Sequence, residues 1–359
     1  MKKSLLALAV LATATTANAA TVYDKDGTTL DIGGRVQAVA YSGHFGAAGE
    51  EDSSLANSAR FNVGGTVKAN DYVSGYAFTE WDTSDGIDND KFSARDQYLG
   101  LDFNEFGKLQ FGKQLNSIYD AQAATDVFEE VGGVVQGSSN SDYRVGNFRY
   151  IFENSGFNAS ASLQTATNNA VINGNEEQAV NSGYSLGLGY TFENVVFGPL
   201  SVQLAYDYVN GQNDYADRHD LTNSNDEYSF TSFDNFRHQA ASIAWGAPDE
   251  GFYVAALYEG SKTKFANDSE IKTKGFEAVI GYTFDFGLSA VAGYELLDTN
   301  TQYLSVSDAP QIARRVPVIL RYAVADSFEV WAEAEFDANS SKNVEERGSL
   351  YAAGARYTF

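Results

Sequence analysis

One pattern repeats along almost the whole chain: about ten residues in which apolar and polar side chains alternate, then a break. Residues 184–192, YSLGLGYTF, place Tyr184, Leu186, Leu188, Tyr190 and Phe192 on one side against Ser185, Gly187, Gly189 and Thr191. Stretches 157–164 (FNASASLQ), 200–208 (LSVQLAYDY) and 276–284 (FEAVIGYTF) repeat the scheme. In 328–336, FEVWAEAEF, the second side carries Glu329, Glu333 and Glu335. A period of two is that of a β-strand, whose successive side chains point to opposite faces, and it cannot form the apolar stripe of a helix.

Strands with one apolar face suit either a soluble sandwich or a barrel in a membrane. Two details favour the barrel. The apolar faces tend to begin and end on Tyr or Phe, as aromatic girdles at two membrane interfaces require. The opposite faces are small and charged, which fits a water-filled interior. With 22 Tyr, 24 Phe and 43% hydrophobic residues, the chain is too apolar to be disordered despite a formal net charge of −24. That acidity argues against nucleic acid as a partner. Beyond the first residues no run of ~18 apolar residues occurs, so helical membrane spans are excluded.

Strands are expected near 30–42, 58–69, 72–83, 91–104, 107–114, 144–152, 156–166, 181–192, 200–209, 236–246, 251–260, 271–284, 286–298, 314–322, 327–337 and 348–359. Sixteen is an even number, as a closed antiparallel transmembrane barrel of this class requires. The connections alternate between short turns and long loops, the latter at 43–57, 84–90, 115–143, 167–180, 210–235, 261–270, 299–313 and 338–347. Pro317 falls inside an expected strand. A closed barrel has no edge to accommodate it, so a bulge near the loop end of that strand is expected.

The first residues read as an export signal: Lys2 and Lys3, an apolar stretch at 5–12, and Ala17-Asn18-Ala19 as a cleavage site. Residues 1–19 are expected to be a cleaved Sec-type signal peptide and 20–359 a single domain. The chain has no Cys, so its fold must be stable without disulfides.

Within this regular array, 115–143 has neither alternation nor a helical stripe, and it contains DVFEEVGG at 126–133. The run RDQYLGLDF, then FGKLQFGK, then this long loop, then RVGNFRY resembles the general trimeric porins of Gram-negative outer membranes. VYDKDGTTLDIGGR is similar to their first strand and RYTF to their aromatic end. The most specific match is YDAQAATDVFEEVGG, which resembles a segment of their third loop. The resemblance implies a 16-stranded antiparallel barrel with short periplasmic turns, long extracellular loops and a third loop folded inward to narrow the channel. It also implies an outer-membrane location, a homotrimer, passage of ions and small hydrophilic solutes, and contact with membrane lipid and lipopolysaccharide. It implies no cofactor.

Carried over by motif, the constriction acids are Asp126 and Glu130, and Arg35, Arg60, Arg95 and Arg144 match the basic ladder opposite. Glu129 stands where the family has Pro and would make the constriction more acidic if it points inward. Alternation turns Arg35 and Arg60 inward, beside Gln37 and Asn62. In 147–152, NFRYIF, the same parity turns Arg149 inward and Arg144 outward, unless a bulge intervenes at the start of that strand. Wall carboxylates Glu277, Glu329, Glu333 and Glu335 in excess predict a weak preference for cations. The acids Glu50, Glu51 and Asp52 and the run at 214–234 read as solvated surface or as divalent-cation bridges to lipopolysaccharide.

An enzyme would need a nucleophile and base in register. His44, His219 and His238 all lie in or beside expected loops, with no Ser-centred motif near them, so catalysis is not expected. A sugar-specific porin of the same fold is the alternative; it would line its path with aromatics, for which Trp331 is a candidate on the inner face. A non-conducting barrel used for adhesion would have fewer strands and a plugged interior.

Overall fold

The computed structural model describes residues 19–43, 54–83, 92–136, 143–172, 175–212, 233–265, 270–299, 312–338 and 349–359. The strands are β1 (Ala20–Lys25), β2 (Thr28–Gly43), β3 (Ser54–Lys68), β4 (Ser74–Thr83), β5 (Phe92–Asp102), β6 (Lys108–Leu115), β7 (Tyr143–Asn154), β8 (Phe157–Gln164) and β9 (Thr167–Ile172). They continue as β10 (Asn175–Val195), β11 (Gly198–Gly211), β12 (Phe233–Ala247), β13 (Glu250–Phe265), β14 (Glu270–Thr283), β15 (Leu288–Thr299), β16 (Ile312–Ala325), β17 (Phe328–Asp337) and β18 (Leu350–Thr358). Apart from β8 and β9, each pairs antiparallel with its sequence neighbours, and β18 closes the cylinder by pairing with β2.

Two short segments explain how 18 strands make a barrel of sixteen staves. β8 and β9 pair in turn with one edge of β10, so they share a stave. β18 covers 35–43 of β2, and β1 covers 28–32 along the same edge. Chain start and chain end therefore meet on one stave, where Gly34 and Phe359 exchange two backbone hydrogen bonds of 2.9 Å. All sixteen expected strands are present; β9 and the first residues of β10 lie where a loop was expected.

Burial is inverted relative to a soluble protein, which selects the barrel over the sandwich. Ser185 is 1% exposed while its neighbour Leu186 is 51% exposed. Aromatic rings collect on the outer face at the strand ends, with Tyr190–Phe192, Tyr282–Phe284 and Tyr357–Phe359 in contact at the short-turn end. Short turns are built from positive φ: Asp26-Gly27 (55° and 76°) and Ser155-Gly156 (50° and 84°) have the left-handed pairs that match strand twist.

Pro317 does not mark a bulge. The ladder between β15 and β16 keeps one register on both sides of it, and Pro317 itself pairs with Glu335 of β17. Gly293 of β15 makes the room, since a Cβ there would lie 3.0 Å from the Pro317 ring.

The interior is divided. One sector of the wall, from β11 to β18 and round to β2, carries inward apolar residues: Tyr253, Ala255, Val279, Val291, Ile319, Trp331, Ala352 and Val39 form one buried cluster. Trp331 belongs to that core, packed over Gly354 and under Arg356 at 4.9 Å. A Cβ at Gly354 would lie 2.2 Å from the indole. Gly354→Val is therefore expected to destabilise the barrel by about 1–3 kcal/mol through overpacking. Urea unfolding of the detergent-refolded protein measures it as a lowered midpoint.

Candidate functional site: the inward loop and its arginine wall

The chain leaving β6 at Leu115 does not pair onward but turns into the barrel. Ile118 and Ala121 bury themselves against Ala205, Ala240 and Leu257 of the wall, and α1 (Tyr119–Gln122) forms a single turn there. Ala124, Val127 and Phe128 then pack on the apolar sector described above. Three wall glycines give close seats: Gly187 beneath Asp120, Gly275 beneath Val135 and Gly293 beneath Phe128. A side chain at any of them would occupy the space of the loop residue.

Irregular backbone inside a barrel leaves N–H groups without a ladder, and each needs an acceptor. Wall carboxylates supply them. Glu333 accepts from Glu129 N–H (2.6 Å) and Glu130 N–H (2.7 Å), Glu335 from Gly132 (3.1 Å), Glu295 from Gly133 (2.6 Å) and Glu277 from Val135 (3.2 Å). Glu277 also accepts from Thr125 Oγ1 at 2.6 Å and Gln136 Nε2 at 2.9 Å. Gly132 and Gly133, at φ 84° and 71°, let the tip present two successive N–H groups to two different acids. Glu277, Glu333 and Glu335 therefore clasp the loop. Their expected role as free lumen charges is corrected: all three are buried between loop and wall.

Opposite the loop, one continuous cavity of about 650 Å³ is lined by Arg35, Arg60, Arg95, Arg149 and Arg356 from the wall, and by Tyr119, Asp126, Phe128 and Glu129 from the loop. Arg35 and Arg60 sit directly across from each other on β2 and β3. Asp82 binds Arg60 at 2.6 Å and Arg95 at 3.3 Å, while Glu80 binds Arg95 at 3.2 Å. Arg149 is held by Asp120 of the loop at 2.5 Å. Asp126 is exposed to the cavity, and Tyr119 Oη donates to it at 2.6 Å.

Glu129 points to the wall rather than across the gap. Arg321 binds it at 2.6 Å and Arg356 binds its other oxygen; Arg356 also binds Glu329 at 2.9 Å. Burial acts to raise the Glu129 carboxyl, but Arg356 and Arg321 outweigh it and hold it below the ordinary range. Glu130 is turned to β2 instead, where Tyr41 Oη donates at 2.7 Å and Gln37 Nε2 at 3.4 Å. Burial raises its carboxyl, opposed by the Tyr41 hydrogen bond, with the Glu129 charge adding to the rise.

The choice between Arg144 and Arg149 dissolves. The β6–β7 ladder slips between Gly112/Asn147 and Gln114/Arg144, with Gly146 at φ 69°, so an extra residue lets both arginines point inward. Only Arg149 lines the cavity. Arg144 is 3% exposed and bound to Asp207 at 2.7 Å. Arg321 and Arg356 were not among the expected site residues. Alternation in the closing strand does turn Arg356 inward, and this was the available signal.

Comparison with known proteins gives one consistent result. A family model described as Gram-negative porin matches residues 5–246. The chain is 28% identical over 313 residues to the outer membrane porin PhoE of Escherichia coli, covering 82% of each chain. It is 31% identical over 314 residues to the porin OmpD of Citrobacter koseri, covering 82% of this chain and 81% of that one. Its fold is similar to that of Salmonella typhi OmpF, solved in complex with daunomycin. The TM-score is 0.73 at 20% identity, covering 95% of this chain and all of that one.

The clasp has a measurable consequence. In Glu333→Ala, two backbone N–H groups lose their acceptor, and about 1.4 kcal/mol of lost local stability corresponds to roughly tenfold faster exchange. Amide hydrogen exchange by mass spectrometry, focused on Glu129 and Glu130, is the check.

Proposed function

The chain belongs to the Gram-negative porin family and is a multi-pass outer-membrane diffusion porin; from that premise we propose that the loop clasped inside the barrel is its selectivity constriction. The single observation that carries this is the shared cavity, which unites exposed Asp126 on the loop with Arg35, Arg60, Arg95 and Arg149 on the wall. Opposed charges across a narrow aqueous gap create a field transverse to the pore. Water aligns in that field, and a dipolar solute can replace it at little cost while an apolar one cannot. Catalysis has no part in this reading, since the porin family consists of channels.

A weak preference for cations follows from which charges are left uncompensated. Arg60, Arg95, Arg149, Arg321 and Arg356 each hold a carboxylate. Among the described lining residues Arg35 alone of the arginines forms no ion pair, whereas Asp96, Asp126 and Asp326 are three carboxylates without one. The balance is slightly negative.

Around this channel we assign a homotrimer. Gly34, Ala38 and Ala40 of β2, Gly65 of β3, and Ala353 and Ala355 of β18 form a stretch of small residues on the outer wall against which a second barrel can pack. Lipid and lipopolysaccharide cover the remainder of the outer face. The proposed signal peptide and the acids at 50–52 and 214–232 lie outside the described residues, save Ala19 of the former. Export as a single mature domain from Ala20 completes the proposal.

The test is selectivity against pH. Asp126 is raised chiefly by the surrounding walls, despite the Tyr119 hydrogen bond, and Glu130 is raised as well; Glu129 is lowered. A raised carboxyl gains its proton earlier as pH falls. Cation preference is therefore expected to fall as Asp126 neutralises, above the ordinary carboxylate range, with the Glu129 charge surviving to lower pH. Reversal potentials across a planar bilayer in a salt gradient report this. Asp126→Asn should remove the first step and shift neutral-pH selectivity towards anions; an unchanged selectivity in that variant would remove Asp126 from the filter.

A further inference from the structure

On β4 and β5, below the arginine level and towards the short turns, four inward side chains stand in a square. Phe78 is directly across from Tyr98, and Glu80 directly across from Asp96. The two pairs lie two residues apart along each strand, roughly 7 Å. All four line the channel cavity. The rings are 5.7 Å apart at 37°, and the row that holds them continues on both sides as glycine, Gly64 on β3 and Gly112 on β6. No side chain flanks the rings along that row.

This arrangement differs from the inward Tyr253 and Trp331, which pack in the buried cluster beneath the loop, because its rings line the cavity. It is also electrostatically unsatisfied. Two carboxylates directly across a ladder repel each other unless a cation lies between them. Arg95 binds only Oε1 of Glu80; Oε2 is buried, on a residue 1% exposed, with no hydrogen-bond donor among the described residues. Asp96, beside it, forms no ion pair among the described residues. Two π faces next to two carboxylates, of which Glu80 alone holds an arginine among the described residues, is the composition that recognises an organic cation: ring faces attract the charge and disperse against its apolar substituents, and the acid supplies the counter-charge.

We infer that Phe78, Tyr98, Glu80 and Asp96 form a retention subsite for small organic ammonium ions that carry an aromatic or other bulky apolar group. The subsite is distinct from the Asp126–arginine filter, although it needs the open channel of the preceding reading. A hydrated potassium ion gains only the carboxylates there, and a neutral aromatic only the rings. The combined ligand gains both and dwells in the channel.

Single-channel current in potassium chloride is the assay, with benzyltrimethylammonium as the probe because its charge does not depend on pH. It is expected to interrupt the current at a concentration about tenfold below that needed for tetramethylammonium, and benzyl alcohol is expected to have no effect at either level. Asp96→Asn and Phe78→Leu should each raise the blocking concentration at least about fivefold, while Tyr98→Phe, which keeps the ring, should not. Equal block by the two ammonium ions, or an unchanged blocking concentration in both Asp96→Asn and Phe78→Leu, would overturn the subsite and leave the diffusion channel standing. Absence of potassium chloride current in the unmodified protein would overturn both.

Discussion

Everything inside this barrel depends on where the loop's backbone N–H groups find acceptors. A segment that leaves the β-ladder within a barrel has neither sheet partners nor bulk water to rely on. Here four glutamates on β14, β15 and β17 accept from five loop amides. Because the acceptors are spread over adjacent staves, the loop is fixed in two dimensions, and glycine seats at Gly275 and Gly293 fix the third. A loop held only by its apolar contacts could slide along the wall. Hydrogen bonds to charged acceptors are directional and shorter-ranged, so they set its register.

The same clasp decides which charges the channel has. A count of inward carboxylates suggests a strongly acidic lumen, yet Glu277, Glu333 and Glu335 spend their charge on backbone amides out of the water path. Glu129, which replaces a proline in the family segment, is taken by Arg321 and Arg356. Its effect is to tie the loop tip to β16 and β18 by ion pairing. In the proposed filter Asp126 remains as the loop's exposed acid, facing arginines most of which are already paired. The field across the gap is then set by geometry more than by net charge.

The sixteen strands were legible because lipid enforces a strict two-residue period on one face, and a strict period survives errors of boundary. The arginine wall was legible for the same reason: Arg35, Arg60 and Arg149 fall on the polar face by parity alone. What could not be read was the use of the inner face. In FEVWAEAEF, Glu333 and Glu335 look like any lumen-wall acids, and only the loop's arrival makes them anchors. The inward apolar residues of β13 to β17 likewise appear in sequence as strands apolar on both faces, without stating what covers them. Pro317 needs no bulge because an opposing glycine on the neighbouring strand, Gly293, clears the space for its ring.

Bulges lie beside the same cavity and turn inward the arginines that parity alone would not place there. Arg95 is the extra residue between Glu80/Asp96 and Trp81/Ala94, and Gly146 sits in the slip that brings Arg144 inside together with Arg149. Each adds a residue to one strand and so re-aims a side chain that parity would send outward. Strict alternation can place only every second residue in the lumen. A charged wall that needs acids and arginines on consecutive positions, as at Arg95 and Asp96, must break the period to get them. The departures from pattern in β5 and β7 are thus the local cost of concentrating charge at one level of the pore.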